Sequence, residues 1–524
     1  MMTYYKKNLN KKMLSLLLVA FTISSCTKLD EKLNSTLTAE QAEASVTPES
    51  LLLSTYYSMQ PAFIDIGLGF WSLQEHPSDE CAGPTRATDW DDNGKWRALH
   101  QHKWDATHPI ITTAFENLLV MQYNATNVLR FKPSKEVAAE ARFLRAYSMF
   151  CVLDGWGQVP FRDYNEDLKT MPKVLKDTAA LNYIVTELNA IIPDLLPRSS
   201  TTSYQANQDA ARALLMKCYL NKGAFVNRQS PTFDNADMQK VVDIAGQITG
   251  YTLTANYFDN FSPNDEINST ENIWGYKSSA GANATPTNGG DVIQRWMPTL
   301  HYNQNPGGWN GFCTLEAFYN KFTTTDIRRS STFAGLTDIS GLTAGFLIGQ
   351  QYNQNGVALK DRKGDPLSFI AKINPSLQEN DPATLEITGI RVLKFLPQYI
   401  NGVAVASNPT NVQPFLRYGD VVLMKAEAQL RMGNTADALA TVNALRMVRK
   451  AGALASLSLN DMIDERGREM YWEGWRREDL IRFGTFLLPN EAKANTSDPK
   501  YLLFPIPVND LASNTNLKQN DGYQ

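Results

Sequence analysis

Two stretches of the chain combine aromatic rings with side chains that form hydrogen bonds. The first spans residues 71–96 and the second residues 296–309, and both are rich in carboxylate, amide or guanidinium groups. Aromatic faces pack against the C–H faces of sugar rings, while sugar hydroxyls need polar partners. The composition therefore predicts a carbohydrate-binding surface. The candidate stacking residues are Trp90, Trp96, Trp296 and Tyr302.

A purely structural role for these rings is the alternative interpretation. Most tryptophan side chains in folded proteins are largely buried, so the same rings could anchor long loops to a scaffold. Trp309 stands in the run Gly-Gly-Trp-Asn-Gly at residues 307–311. This run favours a structural turn over a ligand contact.

Two motifs suggest metal binding but are incomplete. Asp89, Asp91 and Asn93 match the first half of a calcium loop, yet the twelfth position holds His100 where a bidentate Glu is expected. His100 and His102 would share one face of a strand, but no third ligand follows at a recognised spacing. A carboxylate-rich turn and hydrogen-bonding histidines are favoured, and we predict neither a metal nor a cofactor.

The sequence contains no familiar catalytic motif. It lacks a phosphate-binding Gly-Lys-Ser/Thr loop, a His-Glu-x-x-His helix and a Gly-x-Ser-x-Gly elbow. A glycosidase that uses two carboxylates stays open as an alternative, because only the separation of the carboxylates in space decides it. The charged segment 465–477 favours a lattice of salt bridges, with Asp464–Arg468 and Glu473–Arg477 as helical pairs four residues apart.

The N-terminus resembles a lipoprotein export signal. Four lysines at positions 6, 7, 11 and 12 precede an apolar run at residues 13–23, which is too short to span a bilayer. Cys26 follows Ile-Ser-Ser, as in a lipobox, and the acidic segment after Lys28 resembles a surface-export tag. We therefore predict a signal peptide at residues 1–25, acylation of Cys26 and an anchor in membrane lipid.

Composition limits the remaining possibilities. Four of the 50 basic residues and none of the 54 acidic residues lie in the predicted signal peptide, so the mature chain carries a net charge of about −8. An acidic chain without a basic run gives no support to nucleic-acid binding. Cys151 and Cys218 lie within apolar helical patterns, which favours free thiols over a disulfide framework. No later apolar run approaches membrane length, so a soluble body is predicted.

The periodic segments predict paired helices. Residues 420–431 and 435–448 are separated by Gly433 and Asn434, and the 35-residue unit is close to the tetratricopeptide period. Further pairs are predicted at 207–222 with 237–250 and at 136–154 with 181–195, and a helix at 461–477 begins another unit. Such pairs stack into a superhelix, although a plain helical bundle is the alternative.

Helical periodicity is absent from residues 251–414 and from residues 66–109. Long irregular segments in compact proteins usually have a function. We predict a mainly α protein, with a helical scaffold at about 40–250 and 415–484 and loop-rich, ligand-facing regions at about 66–109 and 251–414.

Four blocks along residues 26–524 resemble the RagB/SusD family. The first block contains AEARFLRAY at 139–147 and GWGQVP at 155–160, and the second contains YGD at 418–420 and MKAEA at 424–428. The third contains ERGRE at 465–469, EGW at 473–475 and DLIRFG at 479–484. The C-terminal block, within 500–524, contains LFPIP at 503–507 and NLKQN at 516–520.

The resemblance implies a tetratricopeptide-like α-superhelix packed against a loop-rich half. It also implies a non-catalytic lipoprotein of the bacterial outer membrane, facing the cell exterior, that delivers oligosaccharide to a SusC-like TonB-dependent transporter. Some members bind peptide instead. A secreted glycosidase and a scaffold that contacts only protein are the other two hypotheses.

Overall fold

A computed structural model describes residues 46–198, 202–277, 292–405 and 409–524. Residues Pro48–Gln524 form one compact unit. The predicted signal peptide and Cys26 lie outside the described residues. Within the described ranges, no helix is both long enough and apolar enough to cross a membrane.

Long helices form the frame of the molecule. Residues 251–414 interrupt the frame, and we call this segment the insertion. The helices before the insertion are α1 (Pro48–Tyr57), α2 (Phe70–Glu75), α3 (Lys95–His100), α4 (Pro109–Arg130), α5 (Lys135–Trp156), α6 (Asp177–Ile191), α7 (Gln208–Val226) and α8 (Asn235–Ala245). Four short helices lie within it: α9 (Asp265–Asn268), α10 (Ile293–Trp296), α11 (Glu316–Tyr319) and α12 (Thr337–Ser340). The helices after it are α13 (Tyr418–Arg431), α14 (Thr435–Val448), α15 (Leu459–Met470), α16 (Arg476–Arg482) and α17 (Val508–Ser513).

The frame helices pack in chain order. Each helix from α4 to α7 contacts the next, and α8 contacts both α7 and α13. Helix α13 in turn packs against α14 and α15. The helices before and after the insertion therefore form one continuous stack. This arrangement confirms the predicted mainly α, tetratricopeptide-like superhelix.

Local capping defines several helix ends. The Ser134 side chain accepts a hydrogen bond from the backbone N–H of Val137 at the start of α5. Asn207 caps α7 in the same way, and Ser458 with Asp461 forms a capping box at α15. Such caps satisfy backbone donors that have no partner within the helix. Helix α5 ends at Gly157, whose φ of 71° suits glycine.

Short strands occur mainly in the insertion. The strands are β1 (Thr85–Arg86), β2 (Gln158–Phe161), β3 (Lys173–Lys176), β4 (Asn272–Lys277), β5 (Ser330–Ser331), β6 (Ala344–Leu347), β7 (Gly349–Gln350), β8 (Ser368–Phe369), β9 (Gln378–Glu379), β10 (Arg391–Leu393), β11 (Tyr399–Ile400), β12 (Val403–Ala404) and β13 (Val412–Arg417). Strands β10, β6 and β5 form a three-stranded sheet. The parallel pair β1–β9 joins the two regions that were predicted to be loop-rich.

An antiparallel ribbon closes the insertion at its base. Strand β4 near its start pairs with β13 at its end, with Asn272 opposite Arg417 and Lys277 opposite Val412. A Cβ atom at Gly275 would lie 2.2 Å from the carbonyl oxygen of Gln413. The close approach of the two strands therefore requires glycine at this position. Helix α13 follows β13 directly, so the ribbon sets where the frame resumes.

The structure corrects two of the predicted helices. The helix predicted at 237–250 ends at Ala245, and the one predicted at 461–477 is divided into α15 and α16. The break occurs where Trp472 adopts a φ of 62° and its indole N–H donates to the carbonyl of Glu80. This contact joins segments 392 residues apart, so local periodicity cannot predict it. The 22-residue helix α4 is also absent from the predicted pairs.

A buried ionic cluster surrounds Glu469 on α15. Its carboxylate oxygens lie 2.7 Å from Arg417 Nη1, 2.7 Å from Arg449 Nη2 and 2.9 Å from Arg328 Nη1. All four side chains are fully buried. Glu271 contacts Arg417 and Arg449 as well, at 2.9 and 2.6 Å. We call these five residues the Glu469 cluster.

A second buried cluster links α13, α15 and α16. Arg466 contacts Asp420 at 2.9 Å and Asp479 at 2.8 Å, and Arg482 contacts Glu427 at 2.8 Å. Because burial of an unpaired charge is costly, each of these groups depends on its partners. The second and third blocks of the family resemblance thus supply one continuous set of ion pairs.

The predicted lattice of salt bridges is therefore present, but its pairs differ from the expected ones. Asp464 contacts Lys321, and Arg468 contacts Glu465 at 2.7 Å. Glu473 contacts Arg417 at 2.7 Å, and Arg477 contacts Asp154 at 3.0 Å. Three of these four pairs join different elements, and only Arg468 with Glu465 lies within one helix.

The arginines hold the buried carboxylates of α15 in their ionised form. Burial alone raises the pKa of Glu465, but the guanidinium groups of Arg328, Arg468 and Arg446 outweigh it and lower this pKa to about 2. The pKa of Glu469 lies well below its ordinary value, because three arginines again outweigh burial. The ion pairs therefore persist over the physiological pH range.

The C-terminal block fastens the chain end to α5. The backbone N–H of Phe504 donates to the carbonyl of Gly155 at 2.8 Å. The Asn520 amide donates to the carbonyls of Trp156 and Phe504, at 2.9 and 2.7 Å. The first and last blocks of the resemblance are thus in direct contact.

The cysteines at 81, 151, 218 and 313 are buried free thiols.

Replacement of Glu469 by Gln is expected to destabilise the protein. The substitution removes the negative charge that faces three buried guanidinium groups, and loss of one partner from a buried ion pair costs about 3–5 kcal/mol. Urea unfolding followed by circular dichroism measures this loss. The control Asp437→Asn, on an exposed carboxylate of α14, should change the free energy of unfolding by less than about 0.5 kcal/mol. Equal midpoints for the two variants would contradict the proposed importance of the cluster.

Candidate ligand-binding surface

Two loops meet at the candidate surface. One follows β1 and contains Asp89 and Trp90, and the other spans residues 301–312. Arg86 joins them, because its Nη2 donates to the carbonyl of Gly311 at 3.3 Å and to that of Thr388 at 2.9 Å. This guanidinium is buried, so it holds the loops from the interior of the protein.

Trp90 packs against the second loop. Its indole N–H donates to the carbonyl of Trp309 at 2.9 Å, and its ring centroid lies 4.7 Å from that of Phe312. A Cβ atom at Gly311 would lie 2.2 Å from the indole. Glycine at position 311 therefore makes room for the ring. Trp90 itself is half-buried and has a φ of 62°.

Trp309 presents its ring beside Trp90. The two ring centroids lie 6.2 Å apart at an interplanar angle of 50°. The Trp309 side chain is 38% exposed, and all the other tryptophans except Trp90 are buried. A Cβ atom at Gly308 would lie 2.4 Å from the carbonyl oxygen of Leu300, so the glycines do form a tight structural turn. The same turn projects Trp309 into solvent, which the structural interpretation of this run did not anticipate.

Tyr302 is the third ring, and it contacts Asp89, the residue next to Trp90 in the chain. Its hydroxyl donates to Asp89 Oδ2 at 3.1 Å, and the Arg362 guanidinium lies 4.2 Å from the centre of its ring. Arg362 Nε in turn donates to Glu386 Oε1 at 2.6 Å. We call Trp90, Trp309 and Tyr302 the aromatic ledge, with Asp89 and Arg362 as its polar neighbours.

Glu386 organises the polar side of the ledge. It contacts His301 Nε2 at 2.9 Å as well as Arg362. Burial raises the pKa of Glu386, but the hydrogen bonds from His301 and Arg362 outweigh burial and lower this pKa. Burial lowers the pKa of His301. The Glu386 carboxylate therefore stays ionised and holds Arg362 against Tyr302.

The other two candidate rings are buried. Trp96 and Trp296 are each 2% exposed. The Trp96 indole N–H donates to Asp92 at 2.9 Å, and its ring packs against His76 and Phe312. With no exposed face, neither ring is placed to stack on a sugar. Trp96 instead supports Trp90 from behind, at a centroid distance of 6.0 Å.

The residues of the incomplete calcium loop have separate partners. Asp91 contacts Arg97 at 2.9 Å, Asp92 accepts from Trp96, and Asp89 accepts from Tyr302. In the described part of the chain, no three His, Cys, Asp or Glu side chains form a group that could hold a metal ion.

The two spaced histidines contact backbone carbonyls. His100 Nδ1 lies 3.0 Å from the carbonyl of Cys81, and His102 Nε2 lies 2.9 Å from that of Pro77. Burial lowers the pKa of both rings, that of His102 to about 3, so both are neutral. His100 ends helix α3, so the pair does not share the face of a strand.

Two of the three ledge rings, Trp90 and Tyr302, were predicted from the sequence. Asp89 was singled out only as part of the incomplete calcium motif. The glycines around Trp309 signal a tight turn, and a tight turn at the surface could have indicated an exposed ring, but the run was interpreted as structural only. No local pattern marks Arg362, because its role depends on Glu386 and Tyr302 from other parts of the insertion.

Known proteins resemble the chain over most of its length. A model of the SusD family matches residues 373–523. The starch-binding protein SusD of Bacteroides thetaiotaomicron is 26% identical over 501 residues, which cover 87% of this chain and 85% of that protein.

Solved structures share the fold. A laminarin-binding SusD-like protein superposes with a TM-score of 0.66 at 20% identity and covers 91% of this chain and 99% of its own. Surface glycan-binding protein A of Bacteroides thetaiotaomicron, in complex with laminarihexaose, gives a TM-score of 0.64 at 17% identity, covering 90% and 98% of the two chains. The family match at the C-terminal end, the relatives along the chain and the shared fold agree with one another, and each of them is a similarity to SusD-like proteins.

Proposed function

We propose that this protein binds glycan at the cell surface and delivers oligosaccharide to a TonB-dependent transporter of the outer membrane. The aromatic ledge is the observation on which the proposal depends. Trp90, Trp309 and Tyr302 are the aromatic rings, and Asp89 and Arg362 supply hydrogen-bonding groups beside them. This combination matches the flat C–H faces and the hydroxyls of a sugar chain.

The relatives support the same ligand class. The names of two of them specify starch and laminarin, and a third was solved with laminarihexaose. All three ligands are polymers or oligomers of glucose. The family resemblance supports a transporter partner and a position on the external face of the outer membrane. A peptide ligand is the alternative within the same family.

Anchoring is proposed to depend on Cys26. The apolar run and the residues before this cysteine support lipid modification, and two or three acyl chains give a stable anchor where one does not. About twenty residues separate Cys26 from the first described residue.

A non-catalytic role is the remaining part of the proposal. Glu75 and Glu80 are neighbouring acids in the core, but their side chains are 0% and 1% exposed. Burial raises the pKa of both groups, that of Glu75 to about 7. Glu75 accepts the backbone N–H of Gly474, and Glu80 accepts that of Trp472. These acids bind backbone N–H groups at the break between α15 and α16, and they have no access to substrate.

Replacement of Trp90 or Trp309 by Ala is expected to weaken oligosaccharide binding. Loss of a stacking ring at a binding hot spot costs about 1–3 kcal/mol, so the dissociation constant should rise by roughly 5- to 150-fold. Isothermal titration calorimetry with starch and laminarin oligosaccharides measures the change. Tyr123→Ala, on an exposed ring of α4, is the matched control. Unchanged isotherms for both tryptophan variants would eliminate the ledge as the binding surface.

Replacement of Cys26 by Ala is expected to release the protein from the membrane. Without the thiol, the lipid cannot be attached, and the chain loses this attachment to the bilayer. Membrane fractions and culture supernatant are compared by immunoblot in cells that lack the transporter. If the variant stays with the membrane in these cells, Cys26 is not the anchor.

The purified mature protein is expected to leave polysaccharides intact. Incubation with starch, laminarin and other glycans, followed by measurement of new reducing ends, should show no turnover. An acid pair at the ledge would instead give activity that a single carboxylate substitution removes. Such activity, abolished by Asp89→Asn, would favour the glycosidase over the binding protein.

A further inference from the structure

We propose that this protein has a second sugar-binding site, in a cleft lined by tyrosines at the base of the insertion. The inference goes beyond the aromatic ledge but rests on the proposed function, since the ligand is again an oligosaccharide. Residues of helix α1, helix α5, the loop before α7 and strand β4 line the cleft. We call it the tyrosine cleft after its four rings, which belong to Tyr56, Tyr57, Tyr204 and Tyr276.

Two of these tyrosines offer both a ring and a hydroxyl to a ligand. Tyr57 and Tyr204 line the cleft and are half-buried, so part of each side chain is accessible. Neither hydroxyl is hydrogen-bonded to another residue of the described ranges. A phenol has an apolar face that packs against the C–H groups of a sugar, and its hydroxyl both donates and accepts. These two side chains therefore suit the two kinds of surface on a sugar ring.

A polar network lies within the same lining. Glu140 of α5 is 5% exposed, and its carboxylate accepts from the Tyr56 hydroxyl at 2.5 Å and from the Gln205 amide at 3.0 Å. The backbone N–H of Ala206 donates to the Tyr56 hydroxyl at 2.9 Å. Each carboxylate oxygen has two acceptor positions, so these contacts leave room for a bond from a sugar hydroxyl. The network also fixes the orientation of Tyr56 and Gln205.

Lys277 of β4 restrains the Tyr204 ring. Its ammonium lies 4.7 Å from the centre of that ring and 2.5 Å from the Glu266 carboxylate. The cation–π contact stabilises the ring, and the ion pair holds the lysine in place. A ring that is already restrained loses less entropy when a ligand stacks on it. This contact therefore favours Tyr204 as a stacking residue.

The size of the cleft limits the length of the bound segment. The cleft encloses about 250 Å³, slightly less than the roughly 300–1,000 Å³ of a typical ligand pocket. Aliphatic side chains complete its lining, among them Leu52 and Met59, which are 8% and 1% exposed. We therefore expect the cleft to bind the end of a sugar chain and not a long internal segment.

The polar groups favour a sugar over an apolar peptide side chain. Such a side chain would pack against Leu52 and Leu53, but it would cover the Glu140 carboxylate and the two free hydroxyls without bonding to them. Loss of water from polar groups that gain no new partner is unfavourable. A sugar residue packs against the rings and bonds to the polar groups as well.

The tyrosine cleft and the aromatic ledge share no residue. The ledge belongs to loops of the insertion and to the loop after β1, whereas the cleft is formed mainly by the frame and the base of the insertion. Each site can therefore be removed without a substitution in the other. A polysaccharide that occupies both sites binds more tightly than at either alone, because the second contact is intramolecular.

Isothermal titration calorimetry with starch and laminarin oligosaccharides tests for the second site. The native mature protein should show two binding events with at least one of these ligands. The double variant Trp90→Ala/Trp309→Ala should keep one event, because its cleft is intact. In this variant a disaccharide should bind about as tightly as a hexasaccharide, since the cleft takes only the chain end.

Substitutions in the cleft identify the residues responsible. In the double ledge variant, Tyr57→Ala or Tyr204→Ala should weaken the remaining event by about tenfold or more. Tyr57→Phe and Tyr204→Phe keep the packing of the ring and remove only the hydroxyl, so a loss of roughly two- to tenfold is expected. Tyr123→Ala, on an exposed ring of α4, is the control and should leave this event as it was.

The outcomes separate the second site from glycan binding itself. A single event that is abolished by Trp90→Ala/Trp309→Ala would overturn the second site and leave the proposed function in place. Residual binding that is unchanged in all four cleft variants would also overturn it. An apolar peptide that binds in the cleft where no oligosaccharide does would assign the cleft to peptide. Failure of every oligosaccharide to bind the native protein would defeat both proposals.

Discussion

The carboxylate of Glu469 is the point at which the two halves of this protein are joined. It accepts contacts from Arg328 in the insertion, Arg417 at the end of β13 and Arg449 after α14. A buried carboxylate without partners is too unfavourable to stay ionised. Three buried guanidinium groups without this carboxylate would destabilise the fold even more. Each charge therefore requires the others in place. The frame helix α15 and the base of the insertion can only be assembled in one relative position.

This constraint explains how loops can present a defined binding surface. The insertion leaves the frame through β4 and returns through β13, and the Glu469 cluster fixes both strands at their frame ends. Farther out, buried arginines replace regular secondary structure. Arg391 donates to the Asn310 side chain at 2.7 Å and to the carbonyl of Glu386 at 3.0 Å, while Arg86 holds Gly311. Preorganised loops lose less conformational entropy on binding, which favours affinity.

Features that depend on residues close together in the sequence were predictable. Features that depend on contacts between distant segments were not. Helices α13 and α14 were predictable because apolar periodicity and Gly433 act within one turn. The break after α15 was not, because it depends on the contact of Trp472 with Glu80. Trp90 and Trp96 look equivalent in sequence, yet α3 turns only Trp96 into the core. The aromatic composition predicts a sugar site, and only tertiary structure decides which rings are exposed.

The separation between the ionic clusters and the ledge accounts for a fold that persists at low sequence identity. The described ion pairs of Glu469 and Arg466 involve none of Trp90, Trp309 or Tyr302, so changes at the ledge leave the buried charges paired. A structure that shares 20% of its residues with this chain still superposes with a TM-score of 0.66. Buried charges restrict substitution, because loss of one partner penalises all the others. Exposed rings and surface ion pairs contribute little to stability, so the ligand can change while the frame stays constant.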